Sequence, residues 1–204
     1  MSTAALDLHP QRLLPADPGV RAIATDLYAA TADLPIISPH GHVPASWLAD
    51  DIAFSDPTAL LVTPDHYVTR LLHASGVSLD TLGVGVVPLT AEASRAAFRI
   101  LCEHWSVYRG TPVRYWFDAQ LAEIFKVAVR PAAATADAIY DQIADCLSRP
   151  EFRARALYRR FGIEVLATTD DPCDDLGAHR ALTDDPTWTG RVIPTFRPDR
   201  YLEP

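Results

Sequence analysis

The sequence predicts an α/β protein built on a parallel sheet whose strands end in polar residues, with a long helical block set in after the first strand. Three stretches carry this reading. Residues 34–42 form a short apolar and β-prone run that stops abruptly at His40-Gly41-His42. Ile163-Glu164-Val165-Leu166-Ala167-Thr168-Thr169 is a second strand-like run and closes in Asp170-Asp171-Pro172. Arg191-Val192-Ile193-Pro194-Thr195-Phe196 is a third and closes in Arg197-Pro198-Asp199-Arg200, with a helical pattern through Leu176, His179 and Leu182 before it. Strand, helix, strand with polar closure is the grammar of a parallel sheet that carries its site at the C-terminal strand edge.

Taken in order, residues 1–18 hold Pro10, Pro15 and Pro18 among small and polar residues and predict a loosely tied arm. Residues 20–32 are Ala-rich, with Ile23, Leu27 and Tyr28 at helical spacing, and predict a first helix leading into a buried strand. A short helical turn over residues 44–48 follows, and the run to Val62 is irregular. Thr63-Pro64-Asp65 supplies a cap, a first-turn proline and an acid, so a helix should run from Asp65 to Ala74 and stop near Gly76. Residues 77–162 are helical in their punctuation: Thr90, Thr111 with Pro112, and Thr135 each open a helix, and a last one from Glu151 ends at Gly162. Tyr108, Tyr115, Trp116 and Phe117 are read as core, and the arginines of residues 152–160 as a solvated face.

The chain of 204 residues is about half apolar, enough to bury a sizeable core in one or two domains. Its net charge of -8 comes from scattered acids with no compensating basic stripe, which argues against nucleic acid or an anionic membrane as partner. No apolar run has signal-peptide or membrane-span length, so the expected location is cytoplasmic. Cys102, Cys146 and Cys173 are odd in number and lack a CxxC pair, so neither a disulfide framework nor a thiolate metal site is expected.

The chemistry concentrates at the strand ends. Along an extended backbone His40 and His42 point to one side, and Gly41 leaves the space between them open. Convergent imidazoles suit half of a metal site; two surface histidines in a turn bracketed by Pro39 and Pro44 fit the same spacing. On the helix from Asp65, His66, Arg70 and His73 share one stripe and Tyr67 lies on the next, facing either a cleft or solvent.

The motifs His40-Gly41-His42, Asp65-His66-Tyr67 with Arg70, Thr168-Thr169-Asp170-Asp171-Pro172 after Gly162, and Pro194-Thr195-Phe196-Arg197-Pro198-Asp199 together resemble the N-terminal portion of the uronate (glucuronate) isomerase family of the amidohydrolase superfamily. The resemblance implies a partial (β/α)8, TIM-like barrel. Its first three strands would lie near residues 35–39, 163–169 and 191–196, with the chain divided into 1–42 (arm, helix, first strand), 43–162 (helical insertion) and 163–204 (second and third strands). It implies interconversion of glucuronate with fructuronate and of galacturonate with tagaturonate. A divalent ion, zinc above all, would be held by His40, His42 and an aspartate at the eighth strand; Arg197 and Arg70 would bind substrate, and His66 and Tyr67 would serve proton transfer. The expected chain is a truncated or split isomerase, completed by a complementary C-terminal chain or existing as a homo-oligomer. The competing expectations are a metal-dependent hydrolase of the same superfamily and a non-catalytic fragment.

Overall fold

A computed structural model describes residues 4–85 and 88–202. The elements in chain order are α1 (Pro18–Ala29), β1 (Ile36–Ser38), α2 (Ala45–Asp50), α3 (Pro57–Leu61), α4 (His66–Ala74), α5 (Ala91–Glu103), α6 (Pro112–Ala119), α7 (Ala136–Leu147), α8 (Ala154–Arg160), β2 (Ile163–Asp170), α9 (Gly177–Asp184), β3 (Arg191–Phe196) and α10 (Asp199–Leu202). They fall into two compact units, Met1–Leu13 with Phe54–Arg149, and Leu14–Ala53 with Pro150–Pro204. No helix among the described residues is long and apolar enough to cross a membrane.

The first unit is helical because its apolar residues recur at helical spacing. In α5, Ala97, Phe98, Leu101 and Cys102 face inward and pack on α7, whose Ile139, Tyr140 and Ile143 are buried; Phe98 meets Tyr140 edge-on at 5.5 Å. Burial raises the Cys102 thiol to about 12, which keeps it a neutral packing group. Thr90 caps α5 as its position predicts, accepting from the Ala93 N–H at 3.2 Å. The cap of α4 lies two residues beyond the expected start: Asp65 accepts from the Tyr67 N–H at 2.8 Å, while the Thr63 hydroxyl donates to the Leu82 carbonyl. An aspartate reaching the helix N–H groups outcompetes a threonine whose hydroxyl has a better acceptor elsewhere. Thr111 and Thr135 likewise precede helices without capping them by their side chains, since each hydroxyl donates to a nearby loop carbonyl. From Ala4 on, the N-terminal arm is tied down where a loose segment was expected. Ala5 bridges Val129 in antiparallel fashion, and Arg130 Nε donates to the Ala5 carbonyl at 3.0 Å.

Two aromatic expectations fail. Tyr108 and Phe117 are buried, with the Tyr108 hydroxyl donating to the Val68 carbonyl, but Tyr115 and Trp116 are 43% and 50% exposed. On α6 the inward face is set by Val113 and Phe117, four apart, so Tyr115 and Trp116 between them turn outward.

The second unit holds a three-stranded parallel sheet in the order β1-β2-β3. β2 is the central strand, and its Val165, Leu166, Ala167 and Thr168 are all buried. β3 pairs with it from Val165↔Arg191 to Asp170↔Phe196, with Pro194 opposite Thr168. β1 was expected to be buried and is not: Ile36 and Ile37 are 48% and 63% exposed. Within these residues it pairs on one side only, over three residues. The stripe of Ile23, Leu27 and Tyr28 on α1 is exposed as well.

Arg155 on α8 is the clearest departure from the solvated face expected for residues 152–160. Its guanidinium donates to the Leu48 and Ala49 carbonyls at 2.6 and 3.1 Å and pairs with Asp185 at 2.6 Å, and its side chain is only 13% exposed. The Arg155 N–H also donates to Asp51, which holds a left-handed backbone at φ 46 at the end of α2. One side chain thereby fastens α2, α8 and the loop before β3. Asp185, bonded by the Thr187 hydroxyl and then by Arg155, has its carboxyl held down at about 2.

Candidate active site at the parallel strand tips

Because the three strands run the same way, their C-terminal ends deliver the segments after Ser38, Asp170 and Phe196 to one edge of the sheet. The first of these is fixed by backbone contacts. Ser38 Oγ donates to the His40 carbonyl, and Thr169 Oγ1 donates to the Gly41 carbonyl at 2.7 Å. A side chain at position 41 would press its Cβ to 3.1 Å from the Ala167 carbonyl oxygen, so glycine is what permits the loop to lie against β2. With the loop so placed, His40 Nε2 and His42 Nε2 are 3.1 Å apart and their rings meet edge-on.

That separation bears on metal binding. Two nitrogens on one tetrahedral zinc, each at about 2.0–2.1 Å, stand about 3.3–3.4 Å apart. The imidazole pair therefore fits as two ligands with little adjustment. Among the described residues no group of three His, Cys, Asp or Glu is arranged to hold a metal.

Next to this loop lies a cavity of about 580 Å³ whose wall includes His42, Thr168, Thr169, Asp170, His179 and Arg197. His40 is not part of the wall. Arg197 follows β3, and its N–H donates to the Asp170 carbonyl, which continues the β2–β3 ladder into the site. Its guanidinium pairs through Nε with Asp199 at 2.5 Å. The terminal Nη1 and Nη2 groups have no partner among the described residues, and the side chain is 43% exposed. Arg197 therefore presents a free two-point donor, the geometry suited to a carboxylate.

His66, Tyr67 and Arg70 belong to the helical unit. There the His66 and Tyr67 rings lie 4.1 Å apart, the Arg70 guanidinium stacks 4.6 Å over Tyr67, and Trp116 meets Tyr67 edge-on. Tyr67 remains 41% exposed. Arg70 thus contacts its neighbour Tyr67, while His73 Nδ1 turns instead to the Val77 carbonyl.

Motif reading missed the polar link within the cavity wall. Thr168 Oγ1 stands 2.6 Å from Asp170 Oδ2 and 2.8 Å from His179 Nε2. The i, i+2 spacing of Thr168 and Asp170 on a strand signals a shared face; that His179 arrives from α9 to meet them is a tertiary fact.

Comparison with known proteins agrees with the motif reading. The glucuronate isomerase family profile matches residues 20–203. The chain is 58% identical over 204 residues to the uronate isomerase of Cutibacterium acnes, and 53% identical over 199 residues to that of Corynebacterium glutamicum. Those alignments cover 100% and 96% of this chain but 43% and 38% of the relatives, so the chain spans about two-fifths of the length of the curated relatives it matches. Among solved structures, glucuronate isomerase from Caulobacter crescentus superposes with a TM-score of 0.91 at 43% identity, over 96% of this chain and 41% of that one. Uronate isomerase from Thermotoga maritima gives 0.82 at 26% identity, over 97% of this chain and 41% of that one. With a profile match over nearly its whole length and relatives of this similarity, the chain belongs to the glucuronate isomerase family.

Proposed function

We propose that the protein to which these residues belong is an aldose–ketose isomerase of hexuronates, converting glucuronate to fructuronate and galacturonate to tagaturonate in the cytoplasm. In this reading β1, β2 and β3 are the first three strands of a (β/α)8 barrel, residues 43–162 are a helical insertion after the first, and a complementary C-terminal segment or chain supplies the rest. The observation that carries the reading is Arg197. A guanidinium with both terminal groups unpartnered, on the same cavity wall as His42, is what an anionic sugar acid needs for its carboxylate.

The reaction moves a proton between adjacent carbons through an enediol, so it needs a carboxylate anchor, a proton carrier and a positive partner for the carbonyl oxygen. Arg197 anchors, and Asp199 takes its Nε edge, which leaves the terminal edge for the ligand. His40 and His42 would hold a divalent ion, zinc by their chemistry, through their facing Nε2 atoms. When bound, such an ion supplies polarisation of the carbonyl. The roles of His66 and Tyr67 in proton transfer and of Arg70 in substrate binding rest on the family likeness.

The test joins this chain to the portion of the Cutibacterium acnes relative that it does not cover. Glucuronate incubated with the folded, zinc-supplied chimera and followed by proton NMR is expected to yield a ketose. A folded chimera that forms none, beside an active intact relative, overturns the proposal.

A further inference from the structure

Thr168 is 1% exposed, and its hydroxyl has three neighbours: Asp170 Oδ2 at 2.6 Å, His179 Nε2 at 2.8 Å and the Ile193 carbonyl at 3.2 Å. A hydroxyl has one proton to give and accepts through its lone pairs. With Asp170 ionised, the carboxylate and the carbonyl are both pure acceptors, and the shorter, charged contact takes the proton. His179 must then donate its Nε2–H to the hydroxyl oxygen. Each of the three side chains thereby fixes the next, within a site where His179 is nine-tenths buried. This arrangement commits only one oxygen of Asp170. Its Oδ1 has no partner among the described residues, although the Asp170 side chain is 13% exposed and the residue lines the cavity with Arg197.

We propose that Asp170 is a substrate-binding residue that accepts hydroxyl groups of the sugar chain through Oδ1, with Thr168 and His179 as the positioning residues that hold its carboxylate. The assignment rests on reading the cavity as the hexuronate site. It also gives the ligand a direction. A carboxylate on the cavity wall repels the ligand's own carboxylate and attracts hydroxyl donors, so the acid end goes to Arg197 and the hydroxylated stretch to Asp170.

The experiment compares glucuronate with hexanoate, a six-carbon acid without hydroxyls, by ligand-observed NMR on the folded, zinc-supplied chimera. Asp170→Asn and Thr168→Val are expected to weaken glucuronate about tenfold and leave hexanoate within about twofold, and Thr168→Ser, which keeps the hydroxyl, to bind glucuronate as the unaltered chimera does. Arg197→Lys should weaken both ligands. Asp170→Asn binding glucuronate undiminished, or losing both ligands alike, overturns the assignment while leaving the hexuronate site standing. An unaltered chimera that folds and binds neither ligand overturns the site itself and this inference with it. Thr168 is buried among polar partners, so Asp170→Asn decides the question if Thr168→Val does not fold.

Discussion

Arg197→Lys probes the carboxylate anchor with a change whose size follows from the local geometry. The guanidinium gives its Nε edge to Asp199 at 2.5 Å and keeps Nη1 and Nη2 free, so a bound carboxylate would take two parallel charge-assisted hydrogen bonds. Lysine keeps the charge but offers a single point, which Asp199 also attracts. Losing one bond to a charged group costs about 1.5–3 kcal/mol, and partial exposure of the side chain favours the lower end. That is about tenfold in Kd for glucuronate, at 1.4 kcal/mol per tenfold. Fold stability should move by no more than about 0.5 kcal/mol, because the pair with Asp199 lies at the surface. Calorimetric titration of the chimera with glucuronate and a thermal melt of the same samples separate the two effects. An unchanged Kd refutes the anchor, and a large loss of stability would refute the view that this arginine is held in reserve for a ligand.

Three further outcomes follow from the geometry. His40→Ala should strip the chimera of most of the zinc it retains through gel filtration, since one imidazole replaces a facing pair; undiminished metal content rejects the ligand assignment. Arg155→Ala should destabilise the sheet unit by about 3 kcal/mol, because the Leu48 and Ala49 carbonyls and Asp185 all lose a charged donor, and urea unfolding with a loss under about 1 kcal/mol would contradict this. Asp185 has its folded carboxyl held at about 2, below the usual value of 3.8, so the stability it contributes is complete above about pH 4 and fades as the pH falls toward 2. The gap in urea midpoint between the unaltered chain and Asp185→Asn should therefore close over that interval. A gap constant from pH 7 to pH 2 contradicts the assignment.

The parts of this fold legible in the sequence are those set by local pattern. β2 and β3 stand where β-branched runs end in Asp170-Asp171-Pro172 and Arg197-Pro198, and Thr90 caps α5 as its position requires. Burial was less legible, because it depends on what lies alongside: Ile36 and Ile37 read as core by composition, and within these residues β1 has a strand on one side only. Arg155 failed in the opposite sense, since a charge on an amphipathic helix looks solvated until carbonyls from another element converge on it. The site divides in the same way. His40 and His42 drew attention by their spacing at a strand end and Arg197 by its place in a family motif, whereas the bond from Thr168 to His179 joins residues eleven apart on different elements.

If the strand tips, with the imidazole pair and Arg197, form the hexuronate site, nitrogen-15 chemical-shift mapping of the folded, zinc-supplied chimera titrated with glucuronate will give saturable shifts concentrated at residues 40–46, 168–179 and 197. Shifts centred elsewhere, or none at saturating glucuronate, would rule that site out.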